Sequence, residues 1–145
     1  MARQRETPND LKREAFLLGK LAGFMRTGYH KLPINKYAVD AVLVRDSQIM
    51  AWVECKWYQH TKRPGMNCAK YLEIMHLAAR SRKPAYLMMR VPGKLGYITL
   101  GNCEPHWEIG GGNNGRQNLD DDVEPMVYWS FKDARWIEES PPAGR

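Results

Sequence analysis

Residues 36–58 read KYAVDAVLVRDSQIMAWVECKWY, two strand-forming runs on either side of Arg45-Asp46-Ser47-Gln48. The second run alternates with period two. Ile49, Ala51, Val53, Cys55 and Trp57 fall on one face, and Met50, Trp52, Glu54, Lys56 and Tyr58 on the other. Glu54 and Lys56 therefore project side by side, with an apolar face behind them for a helix layer. Asp40 lies on the first run, and register determines what it meets. A two-residue loop at Asp46-Ser47 sets Asp40 opposite Val53, pointing away from Glu54. A three-residue loop, or a bulge, sets it opposite Glu54 on the same face. Two carboxylates opposed in that way repel by a few tenths to about 1 kcal/mol. Folding has no use for such a pair, whereas a divalent cation turns it into an attraction.

Asp40, thirteen intervening residues, then Glu54-x-Lys56 after a hydrophobic strand resembles the core motif of the PD-(D/E)xK nuclease superfamily, the restriction-endonuclease-like fold. The resemblance spans roughly residues 8–100, in element order more than in identity. Val39 stands where the family name has Pro. What the resemblance implies is an α/β domain with a mixed central sheet flanked by helices, acting as a metal-dependent nuclease on DNA. Small members of similar size include Holliday-junction resolvases and virus-type nucleases, so branched or structured DNA and a homodimer are further expectations. Asp40 and Glu54 offer hard oxygen ligands for Mg²⁺ or Mn²⁺, with the Cys55 carbonyl beside them as a third. Lys56, a compact hydrated cation, would orient a water or stabilise charge on the phosphate. The resemblance also implies an acidic residue on the first helix, Glu14, at the metal site, and a Lys on the second helix, Lys70, near the carboxylates.

Composition agrees with one domain of this kind. The 145 residues suffice for a single core, expected over residues 1–145 with the nuclease-like part at about 7–100 and an extension at about 101–145. No apolar run approaches a membrane span, and no apolar stretch follows the charges of residues 1–10, so a soluble cytoplasmic protein is expected. Three cysteines without close pair spacing point to reduced thiols. The net charge of +6 is unevenly spread: residues 1–100 carry 18 Lys/Arg against 7 Asp/Glu, residues 101–145 carry 4 against 9. A basic body suits a polyanion partner, and it equally describes a solvated basic surface.

Along the chain, Thr7, Pro8 and Asp10 announce a helix whose apolar stripe runs through Leu11, Ala15, Leu18, Ala22 and Met25, closed by Gly28. Glu14 projects close to the centre of that stripe, where a carboxylate needs a polar or cationic partner. A short strand is expected within residues 29–34. The loop Gln59–Gly65 brings His60, Lys62 and Arg63 to the same strand end as Lys56, as phosphate contacts or as plain solvated charges. A second helix over residues 66–82 carries a stripe of Cys68, Leu72, Met75 and Ala79, with Lys70 towards another face. Residues 85–91 and 95–100 read as interior strands around Pro92-Gly93. Strands, helix, then strands build a mixed sheet with helices against it. Beyond residue 101 come a Gly-rich loop (110–118), an acid run at Asp120-Asp121-Asp122, and strands at 126–131 and 135–137 expected to pair as a C-terminal β-hairpin.

Competing chemistries are less well supported. The Cys and His residues show no zinc-ligand spacing, and Cys55 lies on the apolar face of its strand, unsuited to a nucleophile. No G-x-S-x-G, dinucleotide or Walker pattern occurs. The alternative of a different class is a non-catalytic nucleic-acid-binding or assembly protein, in which exposed Trp52, Trp57 and Tyr58 stack on bases.

Overall fold

The computed structural model describes residues 7–33, 36–110 and 124–139. Helix α1 (Pro8–Met25) starts where the capping signals lie: the Asp10 amide donates to the Thr7 hydroxyl at 3.0 Å and the Thr7 amide to the Asp10 carboxylate at 3.1 Å. The helix ends three residues before Gly28. Arg26 adopts the left-handed conformation (φ 61°), and the Thr27 amide reaches back to the Ala22 carbonyl at 2.9 Å. Backbone closure of this kind ends a helix without glycine, at the cost of about 1 kcal/mol of Cβ crowding. The buried face runs through Glu14, Leu17, Leu18, Leu21 and Ala22, rotated from the expected stripe, so that Leu11 is exposed.

Gly28 instead opens β1 (Gly28–Lys31), which pairs antiparallel with β2 (Ala41–Arg45), itself paired with β3 (Gln48–Trp57). After β4 (Gly65–Asn67), helix α2 (Cys68–Ser81) crosses back to β5 (Ala85–Val91), parallel to β3. Strand β6 (Lys94–Leu100) returns beside it, giving a mixed sheet of order β1-β2-β3-β5-β6-β9, with β9 at Arg135–Glu139. The two helices cover opposite faces. Ala51 and Val53 of β3 pack with Leu17, Leu18 and Leu21 of α1, with Cys55 and Trp57 at the margin. Trp52 and Tyr58 flank the cluster built by Tyr71 and Ile74 of α2. From Ala51 onward the period-two reading of β3 therefore separates the two cores, each fully buried Leu or Ile adding about 1.5–3 kcal/mol. Met50, expected on the Glu54 face, is corrected, since it packs with the α1 cluster beside Ala51. On α2 the buried residues are Tyr71 and Ile74 rather than Leu72 and Ala79, which face outward.

The β2–β3 hairpin resolves the register. Asp46 and Ser47 both have positive φ (53° and 63°), a two-residue loop with Arg45 opposite Gln48. That loop alone would place Asp40 opposite Val53. Between Leu43 and Val44, however, the register shifts: Val44 faces Ile49 while Leu43 faces Ala51, which leaves Met50 as an extra residue on β3. Beyond the shift Ala41 faces Val53, and the next residue, Asp40, stands opposite Glu54. Loop and bulge together accomplish what a longer loop would have done.

The C-terminal hairpin expected from residues 126–131 and 135–137 is corrected. A hairpin does form, but between β7 (His106–Gly110) and β8 (Glu124–Tyr128), and β4 joins it in a second sheet of order β4-β8-β7. Strand β9 instead pairs with β6 in the main sheet. Its placement follows from Gly96: a Cβ there would lie 2.3 Å from the Arg135 carbonyl, so only glycine lets the strands meet. The open edge of β6 has unpaired backbone groups for β9 to satisfy, and a 3₁₀ turn at Phe131–Asp133, capped by Ser130, redirects the chain. The acid run 120–122 and most of the Gly-rich loop lie outside the described residues. Among the described residues no helix is long and apolar enough to cross a membrane.

Candidate active site

Asp40 is the residue at which β2 stops pairing regularly. Its amide donates to the Val53 carbonyl at 2.9 Å and its carbonyl accepts from the Leu32 amide at 2.8 Å. With the backbone fixed on both sides, its carboxylate takes the Cys55 amide at 2.8 Å, in place of a strand carbonyl. Glu54, the opposing residue, is 3 % exposed. One of its oxygens, Oε2, accepts a 2.7 Å ion pair from Lys70 at the start of α2. The other, Oε1, is buried without a hydrogen-bond partner. Burial first, and the Asp40 charge second, push the Glu54 carboxyl up to about 7, although Lys70 and Lys56 pull it down. Lys70 is itself raised: desolvation works against its charge, but the Glu54 carboxylate outweighs it.

Glu14 approaches from the other side of the sheet. It is buried on α1 and pairs with Lys31 of β1 at 2.8 Å. The Cys55 thiol shows that the three acids share one neighbourhood. It is pushed well up by burial, then by Asp40, Glu14 and Glu54, with Lys31 opposing. The end of the sheet thus gathers Glu14, Asp40 and Glu54 together with Lys31, Lys56 and Lys70. Lys31 was not anticipated from the sequence. It sits on a short edge strand, and only the pairing of Lys31 with Ala41 brings it next to Asp40 and across from Glu14.

The basic loop is tied to the second sheet. Arg63 pairs with Glu108 at 2.8 Å and lies over the Tyr128 ring at 3.9 Å, and Lys62 lies over Tyr58 at 5.4 Å. His60 is exposed. The aromatic residues expected to be exposed are not. Trp52 donates its indole N–H to Ser81 at 2.8 Å, Trp57 lies between Arg13 and Arg90, and the Tyr58 hydroxyl accepts from the Gly65 amide. All three are half-buried because both sheet faces carry helices.

Among the described residues, no three His, Cys, Asp or Glu side chains are grouped closely enough to ligate one ion. Two carboxylates facing each other across strands, one with a buried oxygen lacking any partner, nonetheless fit a hard cation that takes few protein oxygens and completes its shell with water and phosphate. The Cys55 carbonyl lies on the same strand segment.

A mixed sheet with a helix on each face, and an Asp opposite a Glu-x-Lys at one end of it, is the arrangement that the PD-(D/E)xK motif describes. The chain belongs to the family described as "Phage putative PDDEXK endonuclease", whose model matches residues 1–137. Among solved structures it is similar in fold to Archaeoglobus fulgidus Hjc, a Holliday junction resolvase from an archaeal hyperthermophile. The TM-score is 0.50 at 12% identity, covering 62% of this chain and 76% of that one. No curated protein matches in sequence. Family and fold together indicate a nuclease of the PD-(D/E)xK type.

Proposed function

We propose that the protein is a divalent-metal-dependent nuclease that hydrolyses phosphodiester bonds of DNA, with branched or structured DNA as its substrate class. The observation that carries this reading is the buried Glu54 oxygen without a partner, on a carboxylate set opposite Asp40 by a bulge. Burying Glu54 opposite a second, half-buried carboxylate is unfavourable even with Lys70 on Oε2, and nothing in the packing requires it. Asp40, Glu54 and the Cys55 carbonyl would hold Mg²⁺ or Mn²⁺, which when bound supplies a polarised phosphoryl group and a water of lowered pKa.

The chain's own residues do the rest. Lys56 projects from the same face as Glu54 and, as a compact cation, orients the attacking water and balances charge growing on the phosphate. Lys70 fixes the Glu54 rotamer through its 2.7 Å ion pair, leaving Oε1 as the coordinating atom. Glu14, held by Lys31, adds a third carboxylate behind the two ligands. Lys62 and Arg63 line the loop at this end of the sheet and offer positive charge to a phosphate backbone.

The experiment is a cleavage assay on branched, linear and single-stranded DNA with Mg²⁺ or Mn²⁺. Wild type should cut, and Glu54→Ala and Lys56→Ala should each lose at least about 10²-fold in rate while remaining folded and DNA-bound. Binding by wild type with no cleavage under any metal would replace the enzyme with a non-catalytic binding module.

A further inference from the structure

Away from the carboxylates, on the α1 side of the sheet, a cavity of about 360 Å³ opens between the C-termini of the two helices. Both helices end on an arginine in the left-handed conformation, Arg26 and Arg82 (φ 61° and 59°). The residues that follow, Thr27 and Lys83, line the cavity together with Arg82 and with Arg45 at the end of β2. Leu43, Met50 and Tyr86 contribute apolar walls. Among the described residues no carboxylate lines it. Among the described residues Arg45, Arg82 and Lys83 have no ion-pair partner. The Thr27 hydroxyl is buried there without a hydrogen-bond partner.

Three cations around one cavity repel each other. Arg82 is the most telling, because glycine closes a helix at that backbone angle with no Cβ to crowd. Basic residues at a helix C-terminus complement its dipole, which accounts for Arg82 and Lys83 singly. It does not account for Arg45, which comes from a strand. The geometry points to a site for a phosphate ester with an apolar flank, of mononucleotide size. Guanidinium forks match phosphate oxygens two at a time, and Lys83 adds a point charge. The volume falls within the roughly 300–1,000 Å³ of small-molecule sites. The site is separate from the carboxylate cluster, because it lies at the Met25 end of α1, eleven residues or about 16 Å along the helix from Glu14. It does not depend on the nuclease reading. The same chemistry arrives either as a free nucleoside monophosphate or as the phosphates of a nucleic-acid strand.

The test is an NMR titration of the full chain with adenosine monophosphate in EDTA, which removes any metal-borne nucleotide at the carboxylates. Saturable shifts are expected at the amides of Thr27, Arg45, Arg82 and Lys83. Arg82→Gly combined with Lys83→Ala should weaken binding by about tenfold or more. Glycine suits the backbone at residue 82, and the amide spectrum reports whether the variant is folded. Lys12→Ala, on the exposed face of α1, should leave the affinity unchanged. A short duplex added to the saturated protein separates the two sources: displacement of the nucleotide identifies strand phosphates, and co-occupancy a free nucleotide. The site is overturned by no saturation at roughly 10 mM nucleotide, by unchanged affinity in the double variant, or by shifts confined to the segment around Glu54 and Lys56.

Discussion

Glu54 is the residue on which the proposed chemistry turns, and its environment makes its behaviour predictable. Its carboxyl is raised from about 4.5 when unfolded to about 7 when folded, through burial and the Asp40 charge. The folded state therefore holds this proton more tightly than the unfolded state does. Its contribution to stability is fully present below pH 4.5 and is lost as pH rises through about 7, in metal-free protein. Glu54→Gln has no such proton to lose. In EDTA its stability relative to wild type should improve with pH across that window, by up to about 1.4 kcal/mol per pH unit, and then level off, as read by urea titration. A difference that stays flat with pH would show that Glu54 is not raised. Lys70 lowers the Glu54 pKa through its ion pair. Lys70→Ala should therefore move the acidic limb of the cleavage profile to higher pH, whereas a lysine acting only on substrate would leave that limb in place.

At the level of elements, the hairpin carries the argument, and it is where sequence reading was both strongest and weakest. The alternation of residues 51–58 was legible because each face of β3 meets a different helix, whereas Met50 lies on the α1 side because a bulge interrupts the period there. The pairing of Asp40 with Glu54 was not decidable, because a loop one residue longer and a bulge shift the register identically. The loop itself lacks the Asn-Gly that usually announces positive φ. Ser47 (φ 63°) stands where glycine is cheaper, so Ser47→Gly should stabilise the fold by about 0.5–1 kcal/mol, measured as a raised denaturation midpoint. A lowered midpoint would contradict the turn geometry. On α1 the central place of Glu14 was legible, and the error lay in counting Leu11 and Ala15 into the stripe: both are exposed, and Leu17 and Leu21 take the buried positions instead. The partner of β9 was misread because neighbouring strands usually pair, whereas here Gly96 opens β6 to a distant one. Gly96→Ala should cost about 2 kcal/mol or more, since the new methyl meets backbone rather than a side chain that can move. A fully native melting curve would place β9 elsewhere.

Over the whole molecule, charge and topology reinforce each other. Residues 1–100 are net positive (18 Lys/Arg against 7 Asp/Glu) while residues 101–145 are net negative (4 against 9), and the first hundred also form both helices and five of the six main-sheet strands. Affinity for DNA should therefore fall steeply with salt, by about tenfold or more between 50 and 200 mM, in a fluorescence-anisotropy titration. Affinity that ignores salt would argue against a phosphate-backbone contact. The element order was readable in the sequence because helix, hairpin, helix and hairpin are each separated by strong Pro or Gly punctuation. The ion pairs Glu14–Lys31 and Glu54–Lys70 link residues brought together only by folding, so spacing gave no sign of the first. The central claim is that Asp40 and Glu54 hold a divalent cation. Anomalous diffraction from crystals grown with Mn²⁺ tests it most directly. A peak bonded to both carboxylates and the Cys55 carbonyl, absent in Glu54→Gln, is the predicted result. Mn²⁺ bound elsewhere, with the Glu54 oxygen still uncoordinated in a protein that cuts DNA, would contradict it.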